Sequence, residues 1–334
     1  MATRDVHLPV AAQESIETTL ALAERAGSLG YDRVWAPETW GRDAVSTLAV
    51  LADRLDDVGL GASILNVYSR SPALLGQTAA TLAELSDGDF RLGLGPSGPA
   101  LVERWHGLTH DRPLRRTREA AEIARAVLSG EVVDYDGEVF QLEGFRLRCD
   151  PPAAPVPIDL TGLGPKAVEL AGFAGDGWHA LFVTPDGLAD RLDDLDRGAR
   201  KAGREDAAHR VTLSIPACAL DDGDRARRLA RGHLAFYVGG MGPYYAKALA
   251  RQGHEATART VVEAWQAGDR ERAMAAFDDD LLDDLAAAGT PETARSALGR
   301  LEALPGVDAV AISFPRGADR EEQRATLEAL APGA

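Results

Sequence analysis

Short apolar runs of strand length alternate with helical stripes along nearly all of this 334-residue chain, and no other feature limits its fold as much. The runs predict strands at Val6–Val10, Arg33–Ala36, Val58–Val67, Phe90–Leu94, Val156–Leu160, Trp178–Val183, Val211–Ala219 and Val307–Phe314. Helical spacing follows at residues 15–29, 45–55, 72–85, 114–128, 166–174, 187–202 and 320–330, with a long Ala-, Arg- and Asp-rich stretch over 224–288. Strands alternating with helices imply parallel pairing through right-handed crossovers, and eight such units close an α/β (β/α)8 TIM barrel. A doubly wound open sheet has the same periodicity. Surplus residues predict insertions at about 98–150, after strand 4, and about 224–290, after strand 7. Residues 99–107 read as irregular, and 132–147 as a hairpin around Tyr135-Asp136-Gly137. No Pro/Gly/Ser-rich linker divides the chain, so 1–334 reads as one domain.

In a barrel the active site lies at the C-terminal ends of the strands. That rule selects His7-Leu8-Pro9, Glu38-Thr39-Trp40, residues 63–66, Gly95–Gly98, Thr161–Gly164, Val183-Thr184, Pro216 and residues 313–316. Gly93-Leu94-Gly95-Pro96-Ser97-Gly98 matches G-x-G-x-x-G, but after the fourth strand rather than the first, and two prolines flank the expected helix start. It reads equally as a tight turn or as a strand end where a flat ligand or its phosphate meets bare backbone. Thr161-Gly162-Leu163-Gly164-Pro165-Lys166 leaves a strand and opens a helix, so its N–H groups favour phosphate, and Lys166 adds charge. His106 and His110 are four apart without a third ligand at suitable spacing, so no metal site is expected. His7 and His179 lie on or beside strands and are the histidines of interest, and there is no G-x-S-x-G elbow.

Composition narrows the partners. A net charge of −16 argues against nucleic acid and anionic membrane surfaces, which need a basic face. Of 36 basic residues 33 are arginine, a pattern that fits either life in high salt or a GC-rich genome. Cys149 and Cys218 cannot build a disulfide framework. With no apolar run of spanning length and no apolar core in MATRDVHLPVAAQ, a cytoplasmic enzyme is expected.

Several dispersed segments, in order, resemble the luciferase-like monooxygenase superfamily, and within it the branch that uses the deazaflavin coenzyme F420. They are Tyr31–Glu38, Ala79–Ser86 running into Phe90–Gly95, Ser97-Gly98-Pro99, Trp105-His106-Gly107, Pro113–Glu119, Gly164-Pro165-Lys166 and Asp176-Gly177. Tyr237–Gly242 with Tyr244-Tyr245 is similar to the methylenetetrahydromethanopterin reductase branch. The resemblance implies the same barrel, a homodimer, a small-molecule substrate, and hydride transfer at C5 of the deazaflavin ring; FMN is the alternative cofactor, and a barrel that binds cofactor without turnover a further alternative. It implies a cis Ser63–Ile64 bond behind the ring, with Ser63, Ile64, Asn66, Gly95, Ser97, Gly98, Thr161, Gly162, Gly164 and Lys166 around the cofactor. Many members carry Asp-His after strand 2, with the His as acid/base. Here Glu38-Thr39 stands there, which shifts the expected acid to Glu38, with His7 and Trp40 on the substrate side.

Overall fold

A computed structural model of the chain describes residues 2–9 and 15–334. The first half runs β1 (Thr3–His7), α1 (Ile16–Ser28), β2 (Arg33–Ala36), α2 (Ala44–Arg54), β3 (Gly59–Asn66), α3 (Pro72–Leu85) and β4 (Phe90–Gly95). A π-helical turn at Ala100–Trp105 leads to α4 (Pro113–Leu128) and the hairpin β5 (Val133–Asp136) and β6 (Gln141–Phe145). Then come β7 (Ile158–Thr161), α5 (Pro165–Ala174), β8 (Gly177–Leu181), α6 (Pro185–Lys201) and β9 (Arg210–Ala219). Five helices follow: α7 (Gly223–Gly240), α8 (Pro243–Arg251), α9 (Glu255–Gln266), α10 (Arg270–Ala275) and α11 (Asp279–Leu285). The chain ends with β10 (Ala287–Gly289), α12 (Pro291–Glu302), β11 (Ala309–Ser313) and α13 (Arg320–Ala329).

Eight parallel strands pair in the order β9-β11-β1-β2-β3-β4-β7-β8, and β8 pairs back with β9. This closes the TIM barrel and settles the choice against an open sheet. β10 is a short strand alongside the C-terminal end of β9, pairing Ala287 with Ala217, and β5–β6 stands apart as an antiparallel hairpin. Ser15, Asp43, Ser71, Thr184, Thr290 and Asp319 each accept a first-turn N–H from their own helix, stabilising each helix by about 1 kcal/mol. One apolar core lies in and around the barrel, and a second lies beneath α7–α11. Helices α5 and α6 touch backbone to backbone. A Cβ on Gly172 would stand 1.9 Å from Leu195 O, and one on Gly198 1.8 Å from Glu169 O.

Some elements differ from expectation. β1 ends at His7, and Val10 lies outside the described residues. The 224–288 stretch breaks into five helices at glycines and Asp N-caps, and it finishes in β10, where burial against β9 overrides the weak strand preference of alanine. Within that stretch Phe277 is buried, and Asp279 and Asp283 hold Arg227. Helix α12 stands where no element is expected, although Thr290-Pro291 is a strong helix start. The irregular 99–107 stretch contains the π-helical turn.

Candidate active site

Alternation along each strand sends every second side chain into the barrel. Low in the barrel that interior is charged. Asp159 of β7 accepts two hydrogen bonds from Arg91 of β4, at 2.8 and 2.6 Å. Asp5 of β1 accepts from Trp35 Nε1 at 2.9 Å and from Arg210 at 3.1 Å. Both carboxylates are sealed from water, and burial pushes both towards neutrality. At Asp159 the paired Arg91 bonds outweigh burial and hold the carboxyl well below its usual range. At Asp5 the thinner contact with Arg210 does not, and the carboxyl sits above it.

Towards the mouth the interior becomes aromatic. The edge of His179 meets Trp35 at 4.4 Å between centroids, and His7 meets His179 at 6.1 Å. His7 Nε2 lies 3.2 Å from Ser214 Oγ, and His179 Nδ1 3.5 Å from Ser63 Oγ. His179 Nε2 is buried without a hydrogen bond, 3.7 Å from Asp159 Oδ2. Burial, reinforced by His179, pushes His7 down to about 3, so it is a neutral imidazole at neutral pH.

The Ser63–Ile64 bond is cis, and the β3–β4 register shifts between Ala62 and Leu65. The Ile64 side chain lies over Gly93 and Gly95, where a Cβ would stand 3.3–3.4 Å from it. A Cβ on Gly95 would also stand 2.5 Å from Thr161 Cγ2. Ile64, Gly95 and Thr161 therefore form one continuous shelf across β3, β4 and β7. Ser97 adopts a left-handed φ of 54°, and Gly98 opens on free space at the start of the π-helical turn. Asn66 is buried and engaged by its own loop: Oδ1 accepts from Tyr68 N and Ser69 N at 3.0 and 2.8 Å.

From Thr161 the shelf runs into the α5 N-terminus. Gly162 is tightly packed, since a Cβ there would stand 2.5 Å from that of Ala167. Gly164 caps α5 without a side chain. Lys166 is largely exposed and leans towards Glu169, 3.8 Å away. The cation beside Gly164 is Arg251 of α8, whose Nη1 would touch a Cβ there at 3.4 Å. Sequence spacing has no signal for it, because 86 residues of chain separate it from Pro165.

After β2, Trp40 is exposed and Glu38 is not a free carboxyl. Both Glu38 oxygens accept from Arg70, one at 2.8 Å, and Arg70 also donates to Asp43 at 2.7 Å. To deliver a proton Glu38 would first have to leave this pair. Arg70 comes from the β3–α3 loop, between Asn66 and Pro72.

The family profile described as luciferase-like monooxygenase matches residues 2–308. The chain belongs to that family. Among curated luciferase-like relatives, a 5,10-methylenetetrahydromethanopterin reductase of Archaeoglobus fulgidus is 31% identical over 92% of this chain and 91% of its own. A protein of Mycobacterium tuberculosis named as a coenzyme F420-dependent oxidoreductase is also 31% identical, over 84% of this chain and 86% of its own. Among solved structures, the F420-dependent tetrahydromethanopterin reductase of Methanopyrus kandleri superposes with a TM-score of 0.83 at 22% identity, covering 99% of this chain and 97% of that one. That likeness confirms the luciferase-like barrel fold. No helix among the described residues is long and apolar enough to cross a membrane.

Proposed function

We propose that this protein is an F420-dependent oxidoreductase acting on a small organic substrate. The observation that carries the reading is the continuous shelf from Ile64 through Gly95 and Thr161 to the uncapped start of α5. Its residues fit the group: an apolar flat face suits the deazaflavin ring, and N–H groups beside Arg251 suit its phosphate. When bound, F420 supplies hydride transfer between C5 of its ring and an electrophilic carbon. Ser63, Ile64, Gly95, Ser97 and Gly98 would bound the ring, with Thr161, Gly162, Gly164, Lys166 and Arg251 at the phosphate and Asn66 holding the loop beside them.

His7 and Trp40 face the substrate side, where the neutral His7 orients a polar substrate atom. We assign Glu38 to fixing Arg70 rather than to proton delivery. A methylene-pterin or methylene-folate carrier is the substrate class placed first, because its electrophilic carbon asks little acid catalysis of the protein and the 31% identical relative is named for such a reaction. The reading includes residues 1–334 as one domain and a cytoplasmic homodimer. The test is a fluorescence titration with F420 and with FMN. Preferential binding of F420 is expected, and equal or tighter binding of FMN would overturn the cofactor assignment.

A further inference from the structure

Five aromatic side chains gather over the part of the mouth formed by β8, β9 and β11, across the ring of strands from β3. Phe182 follows β8, His233, Phe236 and Tyr237 stand on α7, and Tyr245 stands on α8. Phe182 and Tyr237 each lie 5.0 Å from Tyr245 between centroids, and His233 lies 4.9 Å from Tyr237. Arg316, just past β11, lays its guanidinium over Phe236 at 3.9 Å.

One imidazole nitrogen of this cluster is engaged by backbone. The Arg316 backbone N–H donates to His233 Nδ1 at 3.2 Å, which places the remaining imidazole proton on Nε2. Among the described residues, neither His233 Nε2 nor the hydroxyls of Tyr237 and Tyr245 makes a hydrogen bond, and none is sealed from the surface. Burial pushes both phenols up, so both remain donors. Burial likewise pushes His233 down to about 4, with Arg316 adding to the effect. The arginines of α7 have acidic partners, Arg227 and Arg231 both at Asp279. Among the described residues Arg316 has no such partner, although the chain carries a net charge of −16.

We propose that this cluster is a substrate subsite for a planar aromatic anion, the ring lying against Phe182, Tyr237 and Tyr245 and its anionic oxygen meeting Arg316. The aromatic walls take a flat ring by stacking, and a cation with several neutral donors and no acid suits a charged oxygen. The inference rests on the reading of the mouth as a hydride-transfer site and names what lies opposite the shelf.

The test uses 2-naphthoate and 2-naphthylmethanol, which share a ring and differ in charge, titrated calorimetrically into the protein saturated with F420. The carboxylate is expected to bind about tenfold or more tightly than the alcohol. Arg316→Met should remove that preference and leave alcohol binding and F420 affinity unchanged. Arg228→Gln, on the outer side of α7 and paired with Glu271, should leave it intact. Equal binding of the two probes, or an equal loss in both variants, would overturn the subsite. Should F420 fail to bind while naphthoate still prefers the wild-type protein, the cofactor reading falls and the anion subsite stands.

Discussion

Replacing Asp159 by Asn tests the charged layer low in the barrel. Asp159 is 2% exposed and Arg91 13% as side chains, and two short hydrogen bonds join them. The variant keeps shape and one acceptor oxygen but leaves the Arg91 charge buried without its bidentate partner. Breaking such a pair costs about 3–5 kcal/mol. The retained oxygen places this variant near the lower end, still a large part of a typical 5–15 kcal/mol. Urea unfolding of wild type, Asp159→Asn, Arg91→Met and the double variant measures it. The double variant is expected to lose at least about 1 kcal/mol less than the sum of the singles, because removing both charges leaves none stranded. The folded carboxyl titrates below its unfolded value, so its stabilisation is complete above about pH 4 and is lost as pH falls further. The cost of Asp159→Asn should therefore shrink below pH 4. Additive singles, or a cost independent of pH, would refute the reasoning.

Three further outcomes are expected. Gly162→Val drives a side chain into Ala167 at the start of α5; it should weaken F420 binding at least tenfold with an unchanged circular dichroism spectrum, and unaltered affinity removes this loop from the cofactor site. Glu38→Gln should raise KM through a loosened Arg70 while kcat stays within about threefold; a 10²–10⁴-fold drop in kcat would restore Glu38 as the acid. His7 and His233 titrate at about 3 and about 4 when folded, below their unfolded value, so stability should decline as pH drops below about 6.5, by up to about 1.4 kcal/mol per pH unit for each. His233→Gln should flatten that decline, and a steeper one would contradict it.

The barrel was legible because eight buried parallel strands must each read as an apolar run. The shelf residues were legible because fold geometry alone places the mouth at strand ends, and the cis Ser63–Ile64 bond was implied by the family resemblance. Less legible was anything set by distant chain. Arg70 reaches Glu38 from another loop, and Arg251 reaches Gly164 from the α7–α11 insertion. Neither position has a local pattern, because arginine is common here and mostly serves surface pairs. Helix α12 was hidden by its Ala-rich setting, although its Thr-Pro start could have revealed it. Ser214 was accessible through period-2 alternation with Thr212, had both been taken as inward-facing.

The ion pairs of Arg91 with Asp159 and Arg210 with Asp5 stopper the barrel beneath Trp35 and His179. The interior is thus a vessel with one opening. Whatever rests on the Ile64 shelf goes in through the same doorway as the molecule that reacts with it. A barrel closed in this way gives the proposed cofactor and its substrate one shared route, so an excess of either should slow exchange of the other.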